Sequence, residues 1–174
     1  MKWYEFVYAL IDLRSFSNLW FWVMLAVQWS MASHWVMGVP FDMVLRARRK
    51  GGAAVADLEQ IARINADRLL HIVQVSGLWI AGFASFGMTL LLVLGFFYGV
   101  EFAQAVFCLV FPHSFVFALA LRTARRVITQ TPAGEPLERT LIHLRMKTQA
   151  IGMVSIMLTS LWGMYQNMNL GALG

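Results

Sequence analysis

Four histidines, His34, His71, His113 and His143, are the residues of this chain best suited to chemistry. Neutral imidazole ligates haem iron and divalent metals. His34 stands four residues before Gly38, and His113 stands nine residues before Arg122. If the apolar runs carrying them are helices, both rings fall at similar depth and can face each other, as cofactor sites in helix bundles do. One reading is therefore a haem b or quinone held between His34 and His113. The other is four interfacial imidazoles bonding carbonyls, neighbouring side chains or lipid phosphates. His71 and His143 lie too near a charged boundary to make a second ligand pair.

Little else in the sequence is equipped for catalysis. Cys108 is the only cysteine, which excludes an intrachain disulfide, a CxxC redox pair and a self-contained thiolate-bound cluster. No P-loop, HExxH, GxSxG or metal-spaced carboxylate set is present, so no catalytic residue and no metal ligand set is assigned. The apolar runs contain no Asp, Glu, Lys or Arg, the residues that mark proton relays and ion pathways. Gln28, Gln74 and Gln104 are their most polar members, and amides glue helices as readily as they bind a substrate. Pro112, inside "CLVFPHSF", removes one backbone donor. It shapes the bundle or, in a weaker reading, gates a small carrier of lipid or apolar solute.

The elements that must position these residues follow from composition. Of 174 residues, 59% are hydrophobic and 13% charged, with mean hydropathy +0.63. Soluble domains average about 25% charged residues, so the chain reads as a membrane protein of one domain. An apolar segment of about 20 residues crosses the hydrocarbon core. Candidates are residues 19–37, 69–98, 102–121 and 148–168, which predicts an all-α four-helix bundle in the membrane. The second run is too long for the core and predicts tilt or turns that stand in the headgroups.

The net charge is +5, yet the cations sit between apolar runs, which favours an anionic lipid surface over nucleic acid as partner. Arg46, Arg48, Arg49, Lys50, Arg63 and Arg68 occupy the stretch 40–68, and Arg122, Arg125, Arg126, Arg139, Arg145 and Lys147 the stretch 122–147. The turn at Gly99, Val100 and Glu101 has no cation. The positive-inside rule then places both loops in the cytoplasm and both termini outside. In "SHWVMGVPFDMVLRARRKGG", Gly38 and Pro40 stop the first span and the Arg46–Lys50 cluster anchors it to lipid. A specific site there for a partner or a phosphate is the alternative.

Residues 2–14 read as an amphipathic helix in the outer interface, with Trp3, Phe6 and Leu10 on its apolar face. It anchors the first span or docks another subunit. No cleavable signal peptide is expected at this end. Both loops carry helical patterns: "AAVADLEQIARINADRLLHIV" leads into the second span, and Pro136 with Glu138 opens a helix leading into the fourth. Small residues spaced by four, Gly77, Ala81 and Ser85 on the second span and Ser155, Thr159 and Gly163 on the fourth, permit close helix approach. They serve packing within the bundle or dimerisation. The two halves also echo each other: "LRARR" and "LRTARR", "DLEQI" and "PLERT", "SGLW" and "TSLW" recur 76 to 83 residues apart, roughly one helical-hairpin repeat.

On "DLRSFSNLWFW", "SHWVMGVPFDMVLRARRKGG", "SGLW", "YGVEFAQAVF" and "TQAIGM", the chain is similar to a small bacterial membrane family labelled "component of SufBCD complex". The resemblance implies a compact membrane protein and carries no residue roles. Iron–sulfur assembly would call for thiolate ligands or a soluble docking domain, whereas this sequence has one cysteine and two short basic loops. The expected function is a non-catalytic accessory or scaffold subunit of a membrane complex. It would bind partners in the bilayer and at the basic loops, with no cofactor.

Overall fold

The computed structural model describes residues 15–171. They form an all-α structure of five helices: α1 (Leu19–His34), α2 (Phe41–Lys50), α3 (Ala53–Leu92), α4 (Glu101–Gln130) and α5 (Glu135–Gly171). A short 3-10 turn, Ser15–Ser17, precedes α1. The helix expected at residues 2–14, with Trp3, Phe6 and Leu10, lies outside the described residues.

Asn18 caps α1, its side-chain oxygen accepting from the Trp20 amide at 3.5 Å. The helix ends at His34, three residues before the expected limit of the first span at Met37. A two-stranded hairpin takes up the difference, β1 (Trp35–Val36) pairing antiparallel with β2 (Val39–Pro40). Its two-residue turn holds Met37 at φ 54° and Gly38 at φ 75°, the pair of positive angles that a type I′ connection demands. Such a turn needs strand residues on both sides, so the helix must stop before Trp35. The Asn65 side chain donates to the Gly38 carbonyl at 2.9 Å and ties the hairpin to α3.

The short α2 is amphipathic. Val44 and Ala47 are buried while Arg46, Arg48, Arg49 and Lys50 are exposed. Asp42 in its first turn and three cations in its last suit the helix dipole. After a turn at Gly51-Gly52, α3 runs without a break through the polar stretch into the apolar one, and a π-helical turn (Val93–Phe97) ends it. At ~1.5 Å per residue the 45 residues Ala53–Phe97, the turn included, extend about 68 Å, far beyond the ~30 Å hydrocarbon core. The helical pattern of the loop and the second span are thus one element. Pro112 withdraws one donor from α4 without interrupting it.

Two packed clusters hold the helices together. At the basic end, Val44, Ala47, Leu58, Ala62, Ala66, Ala124, Val127, Leu137, Leu141 and Leu144 join residues of the hairpin. Their spacing of three or four places one stripe of each helix inward. Ala47 and Ala124, and likewise Leu58 and Leu137, come from matching places in the two sequence echoes and sit in this one core. At the far end, Phe16, Phe21, Leu25 and Trp29 pack on Ala105 and Leu109. Two helical segments, Ala53–Phe97 and Glu101–Gln130, are long and apolar enough to cross a membrane.

Candidate binding site

The cations form two surfaces at the basic end. Arg46, Arg48, Arg49 and Lys50 line the exposed side of α2, where the Arg49 Nε donates to the Leu45 carbonyl at 3.3 Å. On α4, Arg122, Arg125 and Arg126 are all exposed, but Arg122 and Arg126 alone of the three turn toward α5. There they line a cleft of about 480 Å³ with His143 and Lys147. Among the described residues the one ion pair is Arg139 with Glu135 at 2.6 Å, both exposed. Arg145 instead lies 3.7 Å above the Phe41 ring and clamps α2 to α5.

His34 and His113 have different surroundings. His34 is exposed, edge-on to Trp35 with centroids 5.8 Å apart. His113 rests against Trp29, with ring centroids 4.6 Å apart. The Gln28 amide nitrogen donates to the Leu109 carbonyl at 2.8 Å and meets His113 Nδ1 at 2.7 Å. Nδ1 also lies 3.1 Å from the Leu109 carbonyl, so amide, carbonyl and imidazole form one small polar cluster whose donor and acceptor roles follow the ring tautomer. His71 and His143 are exposed as well.

A second amide makes a denser junction at the far end. Gln104 is 3% exposed. Its nitrogen donates to the Gly95 carbonyl at 2.8 Å, and its oxygen accepts from Trp162 Nε1 at 3.0 Å and from the Gln166 amide. Gly95 is required by proximity, since a Cβ there would sit 3.0 Å from the Gln104 backbone nitrogen. Glu101 accepts from the Phe16 amide at 2.7 Å, and Ser17 donates to Asn167 at 2.6 Å. Both amides were conspicuous in sequence as the polar members of apolar runs. Gln74, the third, is exposed.

The two small-residue faces have different surroundings. On α5, Ser155 and Thr159 are buried and Gly163 lies under Phe16. Gly152, one turn earlier, is so close to Trp29 that a Cβ would fall 2.7 Å from Cε3. On α3, Gly77 meets only Val73 of its own helix, and Ala81 and Ser85 are exposed. They belong to a run of nine consecutive exposed residues, 78–86, in which Leu78 reaches 88%. A packed helix buries a residue every three or four positions; this segment buries none.

In comparisons with known proteins, the chain matches no family model, no curated protein and no solved structure.

Proposed function

We propose that this is a multi-pass protein of the bacterial inner membrane, crossing four times as a helical bundle, with both termini outside. In that reading it serves as a non-catalytic accessory or scaffold subunit whose α3 docks another membrane protein or a second copy. The unpartnered run at residues 78–86 carries the proposal, because it presents Ala81 and Ser85 at close-approach spacing with nothing opposite. Lipid chains pack against long side chains as well as a protein does; small residues gain most from a second helix.

The membrane reading is supported by where apolar groups point. Leu78, Trp79, Phe83, Phe86, Met153 and Met157 face outward, an arrangement that costs dearly in water and nothing in lipid. Interhelical amide bonds from Gln28 and Gln104 occur in this same zone, where they supply the association that hydrophobicity cannot. The dense leucine and alanine core lies instead among the basic residues, the part that would meet water. The likeness to the "component of SufBCD complex" family points to the same kind of protein.

A photo-activatable residue at position 81, exposed to light in intact membranes, tests the docking face. Adducts with a protein, either a second copy or a different membrane chain, are expected at 81 and not at exposed Val110 on α4. Lipid adducts alone at position 81 would defeat the reading. The scaffold reading also predicts a reduced-minus-oxidised spectrum of the purified protein without a haem band.

A further inference from the structure

Beyond the cleft containing Arg122 and Arg126, a second groove of opposite character lies along the same pair of helices. On the α4 side of the cleft Arg122 and Arg126 are one turn apart; on the α5 side His143 and Lys147 are also one turn apart. No carboxylate lines it, and Arg122, Arg126 and Lys147 form no ion pair among the described residues. Thr123 and Thr140 commit their hydroxyl protons to the Leu119 and Pro136 carbonyls, at 2.9 and 2.8 Å, and leave oxygen lone pairs to the cleft. Two guanidinium groups facing an ammonium group across a gap repel unless an anion lies between them.

Along the same seam toward the far end lies a groove of about 370 Å³, lined by Phe111, Pro112 and Phe115 of α4 and Ala150, Val154 and Leu158 of α5. The two grooves share one face of each helix. On α4 the stripe is 111, 115, 119, 122, 126; on α5 it is 143, 147, 150, 154, 158. Steps of three and four keep every member on one side. From Arg122 to Phe111 the seam covers eleven residues, about 17 Å, close to the ~15 Å that one leaflet contributes to the hydrocarbon core.

We propose that this seam binds one anionic phospholipid of the inner leaflet. Its phosphate lies among Arg122, Arg126 and Lys147, and one acyl chain lies between Phe115 and Val154. Guanidinium groups bond phosphate oxygens directly, and basic pockets between membrane helices at the cytoplasmic side suit acidic headgroups. A free phosphate would satisfy the cations but leave the apolar groove unexplained; a zwitterionic lipid would leave net positive charge in the cleft. The inference rests on the membrane reading above.

The test is lipid retention by the full chain purified in mild detergent and reconstituted with defined phosphatidylglycerol and phosphatidylcholine, then analysed by native mass spectrometry. One phosphatidylglycerol per chain is expected to survive mild activation. Arg122→Gln with Arg126→Gln should weaken retention about 25-fold, at roughly fivefold per cation near an anionic lipid surface. Arg63→Gln with Arg139→Gln, which changes the same charge away from the cleft, should leave it intact. Ala150→Trp fills the apolar groove while keeping every cation and should also displace the lipid. If the cleft double variant fails to fold, Ala150→Trp and the control at positions 63 and 139 decide the matter. Equal retention of phosphatidylcholine, or retention indifferent to both cleft variants, overturns the proposal. So does displacement by millimolar inorganic phosphate with no effect of Ala150→Trp, because the ligand is then a free anion. A chain recovered from the soluble fraction without detergent would instead reject the membrane reading itself.

Discussion

Replacing Gln104 by leucine removes three hydrogen bonds at once while keeping the side-chain volume, so no cavity enters the cost. The Gly95 carbonyl, the Trp162 indole N–H and the Gln166 amide each lose their partner in a site only 3% exposed. In water-soluble cores an orphaned buried group costs about 1–3 kcal/mol. Interhelical bonds in membranes average lower, about 0.6 kcal/mol. The site belongs to the zone read as membrane-embedded, so the membrane value applies, and three bonds give a loss of about 2 kcal/mol. For a chain of this size each kcal/mol is worth roughly 2–4 °C, which makes the expected drop in apparent Tm about 4–8 °C, followed by circular dichroism in detergent. Trp162→Phe should cost about a third as much, and less still in the Gln104→Leu background, because its partner is already gone. A Tm for Gln104→Leu within about 2 °C of the parent would refute the reasoning, as would strictly additive losses in the double variant.

Gly152→Ala should destabilise by about 1–3 kcal/mol through overpacking, since the new methyl would lie 2.7 Å from the Trp29 ring; Trp29→Leu in the same chain should recover part of the loss in the same melting assay. Gln28→Leu should cost about 1 kcal/mol through the lost contacts with the Leu109 carbonyl and the His113 ring, read in the same melting assay; an unchanged Tm contradicts the Gln28 geometry. Phe41→Leu should cost about 1 kcal/mol through the lost cation–π contact with Arg145, seen as an earlier unfolding of the basic end in hydrogen exchange.

Periodicity made the helices legible because a 3.6-residue repeat is imposed locally. The continuation of the loop helix into the apolar run follows from spacing, whereas α2, with four cations among its ten residues, shows in the sequence as an anchor and not as a helix. Gln28 and Gln104 stood out because an amide in an apolar run must find partners. The hairpin at Trp35–Pro40 was hidden, for its turn depends on Met37 adopting a left-handed conformation that its side chain disfavours. The small-residue faces were visible, but spacing says nothing of what lies opposite: the one on α5 meets Trp29 and Phe16, and the one on α3 meets no other helix. The pairing of Arg122 and Arg126 with His143 and Lys147 was equally out of reach, since it depends on the register between α4 and α5.

Sidedness of the basic end is the claim on which the rest stands, and single-cysteine labelling in intact cells measures it directly. In a Cys108→Ser background, Gly99→Cys should react with a membrane-impermeant maleimide from outside, while Lys50→Cys and Thr131→Cys should react only after the membrane is broken. Labelling of positions 50 and 131 in intact cells, with position 99 protected, would contradict the account.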